Sequence, residues 1–170
     1  MSGFYGRYTG ARIEKKMETR RLIIEPMTTE ETEKMICQYK ISDPELSQAY
    51  AEMLAGCLAY PEQYLWYVPW KICLIESGTF VGDLCFKGPP ESGQPEIGYG
   101  ILEAYQRNGY AAEAVSAMCQ WAFMQEGVEA VEAETAPDNE ASQKVLLKTG
   151  FHPTGVMGEE GPRFILKRVK

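Results

Sequence analysis

The chain has 170 residues, 45% of them hydrophobic, which suits one globular domain with a substantial core and leaves too little for a second. No apolar run approaches the ~20 residues that span a bilayer, and the N-terminus lacks the basic-then-apolar order of a secretory signal, so a cytoplasmic location is expected. A net charge of -7 argues against broad nucleic-acid binding, and a single histidine, His152, argues against a histidine metal site or a Ser-His-Asp triad.

Residues 1–16, with three glycines and three aromatic residues, read as a flexible leader ahead of a domain over 17–170. Leu22, Ile23 and Ile24 form a short strand stopped by Pro26. Thr28 and Glu31 have the spacing of a capping box and predict a helix over 29–39. Ser42-Asp43-Pro44 starts a second helix that Pro61 ends. On it Tyr50, Met53, Leu54, Cys57 and Leu58 recur at helical spacing, a core face in the first instance, with Tyr50, Tyr60 and Tyr64 placed to rim a pocket. Period two then takes over, with 64–76 and 79–88 forming a hairpin around Ser77-Gly78, and Pro69 implying an edge position or a bulge. The cysteines Cys37, Cys57, Cys73, Cys85 and Cys119 are scattered and odd in number, so they read as buried thiols.

After a polar loop over 88–95, the stretch EIGYGILEAYQRNGYA (96–111) runs from a strand through a glycine-containing turn into a helix that begins at Asn108 or Gly109. That is an anion-binding layout, because the first amides of a helix have no partner within it and lie at the positive end of its dipole. Ala111, Val115, Met118 and Ala122 mark one face of this helix to about Glu126, and Gly127 ends it. A strand over 128–135 follows, then a helix over 139–149 capped by Asp138 or Asn139 and closed by Gly150. The tail supplies two strands around a Gly-Glu-Glu-Gly turn. The order β-α-α-β-β-β-α-β-α-β-β predicts one mixed sheet with helices packed on it.

Two motifs within this order carry a resemblance. Gln106, Arg107, Asn108, Gly109, Tyr110 and Ala111 match the pattern Gln/Arg-x-x-Gly-x-Gly/Ala, and Asn139, Ser142, Gly150 and Phe151 match an Asn-x-x-Ser helix start with a closing Gly-Phe. Over roughly Glu18 to Lys167 the chain resembles the GNAT superfamily of acyl-CoA-dependent N-acetyltransferases, and with its RRLIIEP opening it is similar to the branch that includes ribosomal-protein N-terminal (alanine/serine) acetyltransferases. The resemblance implies an α/β (α+β) fold with a mostly antiparallel central sheet, a splayed parallel pair formed by 96–103 and 128–135, and flanking helices. It implies acetyl-CoA as co-substrate and no metal, an amine of a small molecule or a protein N-terminus as acceptor, and room for a homodimer. The main chain of Ile101 and Leu102 then meets pantetheine, the amides of residues 107 to 111 hold the pyrophosphate, Arg107 adds a charge, and Asn139 is divided between capping and the cofactor arm.

Acetyl transfer to an amine needs a proton acceptor, since an alkyl ammonium has a pKa of about 10.4. Glu96 stands where several GNAT enzymes place such a base and ranks first; Glu134, with Glu132 on the same strand face, competes. All three glutamates read equally as a solvated rim. Many GNAT members protonate the departing thiolate with a tyrosine on the second helix, where this chain has Leu146 and Leu147, so Ser142 becomes the candidate for that contact. Loss of that tyrosine also allows an acyl-CoA-binding sensor or interaction domain. A nucleotide-binding domain is disfavoured, because neither G-x-x-x-x-G-K-[ST] nor G-x-G-x-x-G is present.

Overall fold

The computed structural model describes residues 15–169, so most of the leader expected over 1–16 lies outside the described residues. Its last two residues already touch the body of the protein. Lys16 Nζ lies 3.5 Å from Glu18, and Lys15 Nζ sits 4.4 Å from the centre of the Tyr64 ring.

Among the described residues eight strands form one sheet in the order β1-β2-β3-β4-β5-β6-β8-β7. Strand β2 (Leu22–Pro26) is where the apolar triplet placed it, and β1 (Met17–Glu18), too short to show in the pattern, pairs antiparallel to it. The capping box forms: the Thr28 hydroxyl accepts from the Glu31 amide at 3.1 Å while the Glu31 carboxylate accepts from the Thr28 amide at 3.0 Å, starting helix α1 (Thr29–Tyr39). Helix α2 (Pro44–Ala59) begins with Pro44 in its first turn and Asp43 accepting from the Leu46 amide.

The hairpin is shorter than the pattern suggested. Residues Pro61–Trp66 form a 3-10 turn instead of strand, with the Tyr67 and Val68 amides both bonded to the Tyr64 carbonyl. Pro61 starts that turn and Pro69 closes the segment, so β3 (Trp70–Leu74) begins only beyond the second proline. Pro69 is therefore not at a sheet edge, since β3 lies between β2 and β4 (Phe80–Phe86), although the β3–β4 register does shift between Ile72 and Cys73.

Strand β5 (Glu96–Ile101) opens at Glu96 as expected, and helix α3 (Tyr110–Phe123), strand β6 (Ala130–Glu134), helix α4 (Glu140–Lys148) and strands β7 (His152–Met157) and β8 (Pro162–Lys167) follow in the predicted order. Helix α3 buries Val115, Met118, Trp121 and Ala122 against Leu22, Ile24, Trp70, Ile72, Leu84, Phe86, Ile97 and Val131. Trp121 is the centre of this core, its ring 4.9 Å from Trp66, 5.2 Å from Trp70 and 5.8 Å from Phe86. The opposite side of the sheet carries α1 and α2, fixed by Lys71 of β3 reaching Glu31 at 2.7 Å and by Tyr50 of α2 bonding Asp83 of β4. The five cysteines are free thiols, but only Cys119 is fully buried and Cys37 is exposed.

Candidate active site

The parallel strands β5 and β6 pair at only two positions, Glu96 with Glu132 and Ile97 with Ala133, and then part. Hydrogen-bonding direction alternates along β5: the Glu96 carbonyl accepts from the Lys87 amide and the Leu102 amide donates to the Val81 carbonyl, so even-numbered residues face β4. The main chain of Tyr99 and Ile101 therefore turns toward the gap left by β6. Leu102 does not share that position, which corrects the sequence expectation. Its amide is bonded to Val81 and its carbonyl accepts from the Tyr105 amide at 2.8 Å. Tyr99, next but one along the same edge, is the residue the sequence reading passed over.

Beyond the strand, the turn into α3 is a concavity of unpartnered amides. Arg107 (φ 66°) and Gly109 (φ 80°) both adopt left-handed conformations, with Gly109 as the helix N-cap. Such an alternation turns successive amides inward and makes an anion nest. Among the described residues, none of the amides from Arg107 to Ala112 finds a protein acceptor, and the first bond back into the turn is from Glu113 to the Gly109 carbonyl at 3.2 Å. Gln106 and Asn108 are used differently from the expectation that they bind the cofactor. The Gln106 side chain donates to the Ile101 carbonyl at 2.9 Å, and the Asn108 side chain to the carbonyls of Tyr105 and Gln106, so their side chains shape the turn. Arg21 braces it from outside, bonding the Asn108 carbonyl at 2.8 Å and Glu113 at 2.9 Å, with its guanidinium 4.6 Å from the Tyr110 ring centre.

Across the gap, Asn139 caps α4 by accepting from the Ser142 amide at 3.1 Å. The Ser142 hydroxyl lies 2.8 Å from the Tyr99 hydroxyl, which also donates to the Ser142 carbonyl. The chain thus has a phenol beside Ser142 that comes from β5, while Leu146 at the helix position is buried and Leu147 is exposed. His152 is an exposed strand residue.

Arg163 of β8 gathers the three glutamates of the sequence reading. Its Nη2 lies 2.8 Å from both Glu96 and Glu132, and its Nη1 lies 2.9 Å from Glu134. Glu96 gives its other oxygen to Lys87 at 2.5 Å. Glu134, with a side chain only 6% exposed, accepts the amides of Glu160 and Gly161 as well. Those amides, with Arg163 behind them, hold its carboxyl below the usual range, which makes it a poor proton acceptor and corrects its place as a candidate base. Its role is to fix the turn between β7 and β8. Glu96, first in rank by sequence, has both oxygens in ion pairs.

A cavity of about 330 Å³ opens between α1–α2 and the β4–β5 surface, lined among others by Tyr39, Tyr50, Met53, Asp83, Gly98 and Gly100. Asp83 is its carboxylate. It accepts from the buried Tyr50 hydroxyl, and burial pushes its carboxyl up despite that bond. Sequence reasoning missed it, although a lone acidic residue inside the apolar run FVGDLCF was the available sign.

A family model described as an acetyltransferase (GNAT) domain matches residues 21–152. The chain is 28% identical over 152 residues to the uncharacterized N-acetyltransferase YoaA of Bacillus subtilis, a match that covers 83% of this chain and 85% of that protein. Among solved structures it superimposes on the ribosomal-protein-S5-alanine acetyltransferase of Vibrio fischeri with a TM-score of 0.69 at 16% identity, covering 91% and 96% of the two chains. It also superimposes on RimJ of Mycobacterium smegmatis, solved in complex with CoA-disulfide, with a TM-score of 0.63 at 18% identity and coverage of 85% and 79%. At these identities the solved structures bear on the fold.

Proposed function

The chain belongs to the GNAT acetyltransferase family, and from that premise we propose that it passes acetyl from acetyl-CoA directly to a primary amine of a small molecule or a protein N-terminus. One observation carries the coenzyme reading: the strand gap leads straight into a nest of free amides, so an extended arm and a diphosphate have adjoining seats. The presence of CoA-disulfide in the Mycobacterium smegmatis neighbour supports it. The main chain of Tyr99 and the amide of Ile101 are offered to the pantetheine arm, the amides of Arg107 to Ala112 receive the diphosphate with Arg107 beside them, and the Ser142 and Tyr99 hydroxyls face the departing sulfur. Burial pushes the thiols of Cys57, Cys73, Cys85 and Cys119 up, which makes them weak nucleophiles and favours direct transfer over an acyl-cysteine.

Thermal shifts with CoA, ATP and NAD, followed by acetyl-CoA consumption over a panel of amines, test this reading. CoA alone among the three raises the melting temperature, and Ser142→Ala lowers turnover by about tenfold or more. Stabilisation by ATP or NAD in place of CoA overturns it. We propose the cytoplasm as the place of action; no helix among the described residues is long and apolar enough to cross a membrane.

A further inference from the structure

We infer that Asp83, held by Tyr50 in the cavity between α2 and β4–β5, binds the acceptor's ammonium and takes its proton, and that the acceptor is a monocationic primary amine on a compact apolar body. This rests on the acetyltransferase reading above and names the base and substrate class for that site.

The first ground is an uncompensated charge. Asp83 has no cationic partner among the described residues, although Lys71 stands opposite it in the β3–β4 register on the same face of the sheet. Lys71 turns away, to Glu31 at 2.7 Å and Glu25 at 3.5 Å. A half-buried carboxylate with only a phenol for company is costly unless a cation arrives, and an ammonium supplies both the charge and the hydrogen bonds. The second ground is position. Asp83 pairs in register with Gly100, and a Cβ placed on Gly100 would meet nothing within 4 Å. The carboxylate therefore stands beside a bare stretch of β5, directly next to Tyr99 and Ile101, whose main chain faces the strand gap. The third ground is the wall. Met35, Tyr39, Leu46, Met53 and Phe80 line the same cavity, and none of them offers a charge to a second cationic centre. A polyamine or an extended peptide would have to desolvate further polar groups there without compensation.

The other groups facing Asp83 do not compete for the proton. The Tyr50 hydroxyl is pushed up by burial and by Asp83 itself, and the Cys85 thiol is pushed up to about 12 by burial, so both stay neutral. Tyr39 lies 6.2 Å from Tyr50, ring centre to ring centre. Lys87, four residues on and just past the end of β4, is paired with Glu96. Burial raises the Asp83 carboxyl, which moves its basicity toward that of the amine it must deprotonate.

In the reaction the ammonium gives one proton to Asp83. The amine nitrogen bonds to the thioester carbon, the C–S electron pair leaves on sulfur, and the second nitrogen proton passes to the thiolate. The products are the acetamide and CoA thiol, and Asp83 returns its proton to water.

The test sets phenethylamine against spermidine and an alanine-terminated peptide, using wild type, Asp83→Asn, Glu96→Gln and Gly100→Val. Phenethylamine is expected to have the highest kcat/KM, Asp83→Asn to lower it by about 100-fold or more, and Glu96→Gln by less than about tenfold. The decline of wild-type kcat/KM on the acid side is expected to vanish in Asp83→Asn, and Gly100→Val to raise the amine KM with CoA-induced stabilisation retained. A preference for spermidine or peptide, or a kcat/KM for Asp83→Asn within about threefold of wild type, overturns the inference. CoA-induced stabilisation in every variant shows that such a failure belongs to the acceptor assignment, because the coenzyme reading fails only when CoA does not bind.

Discussion

Asp83 sits where burial favours its neutral form and raises its carboxyl above the ordinary range, despite the hydrogen bond from Tyr50. Because its folded pKa is raised above the ordinary 3.8, the stability linked to its protonation is complete below that value and is lost as pH rises through the folded value. At neutral pH the side chain therefore costs stability that its function requires. Asp83→Asn keeps an acceptor for the Tyr50 hydroxyl and removes the charge. Its melting temperature near neutral pH is expected to rise, by about 2–4 °C for each ~1 kcal/mol recovered in a chain of this size, while turnover falls. Differential scanning calorimetry of the two proteins measures it, and an unchanged or lower melting temperature counts against a strained carboxylate. Arg163 shows the opposite arrangement at the same scale. It reaches Glu96, Glu132 and Glu134 together, and with Lys87 on Glu96 and the Glu160 and Gly161 amides on Glu134 each carboxylate has partners within the fold.

At the scale of elements, the nest at the start of α3 depends on backbone conformation more than on side chains. Gly109 sits at φ 80°, and a Cβ there would also come 3.3 Å from the Arg21 guanidinium. Gly109→Ala is therefore expected to cost about 1–2 kcal/mol of stability, the usual penalty for a left-handed L-residue. It should also raise the KM for acetyl-CoA, since the strained turn no longer holds its amides concentrically. Urea unfolding and initial rates with varied acetyl-CoA read the two effects separately; a stability loss with no change in KM means the diphosphate does not sit there. This element was legible in the sequence because glycine spacing and the helix pattern are local. So were the two helix starts, where Thr28, Glu31 and Asp43 act within one turn. The start of β3 was not, because alternation over 64–76 looks continuous, while the Pro61 and Pro69 brackets fold its first half into a helical turn. Asp83, Tyr99 and Arg21 were hidden for a different reason. Their partners Tyr50, Ser142 and Glu113 are 33, 43 and 92 residues away, and only the assembled sheet joins them.

For the whole molecule, three carboxylates tie distant segments together and set its response to acid. Against the cost of burial, Lys71 and the Thr28 amide hold Glu31 low and so pin α1 to β3. Against the same cost, Thr19 and Arg21 hold Glu113 low and pin α3 to the segment before β2. The amides of Glu160 and Gly161, with Arg163, hold Glu134 low and pin β6 to the β7–β8 turn. Each folded pKa lies below the ordinary 4.5, so the stabilisation is complete above that value and is lost as pH falls through the folded values. Asp83 works in the other direction, since the folded state takes up its proton before the unfolded chain does. The urea midpoint should therefore drop as pH falls below about 4.5, with Asp83 opposing that drop as it takes up its proton. Glu134→Gln should lower the midpoint at neutral pH and make the acid drop shallower, whereas Asp83→Asn should make it steeper. If Glu134→Gln leaves the steepness below 4.5 unchanged, the β6 tether is not among the groups that titrate with unfolding.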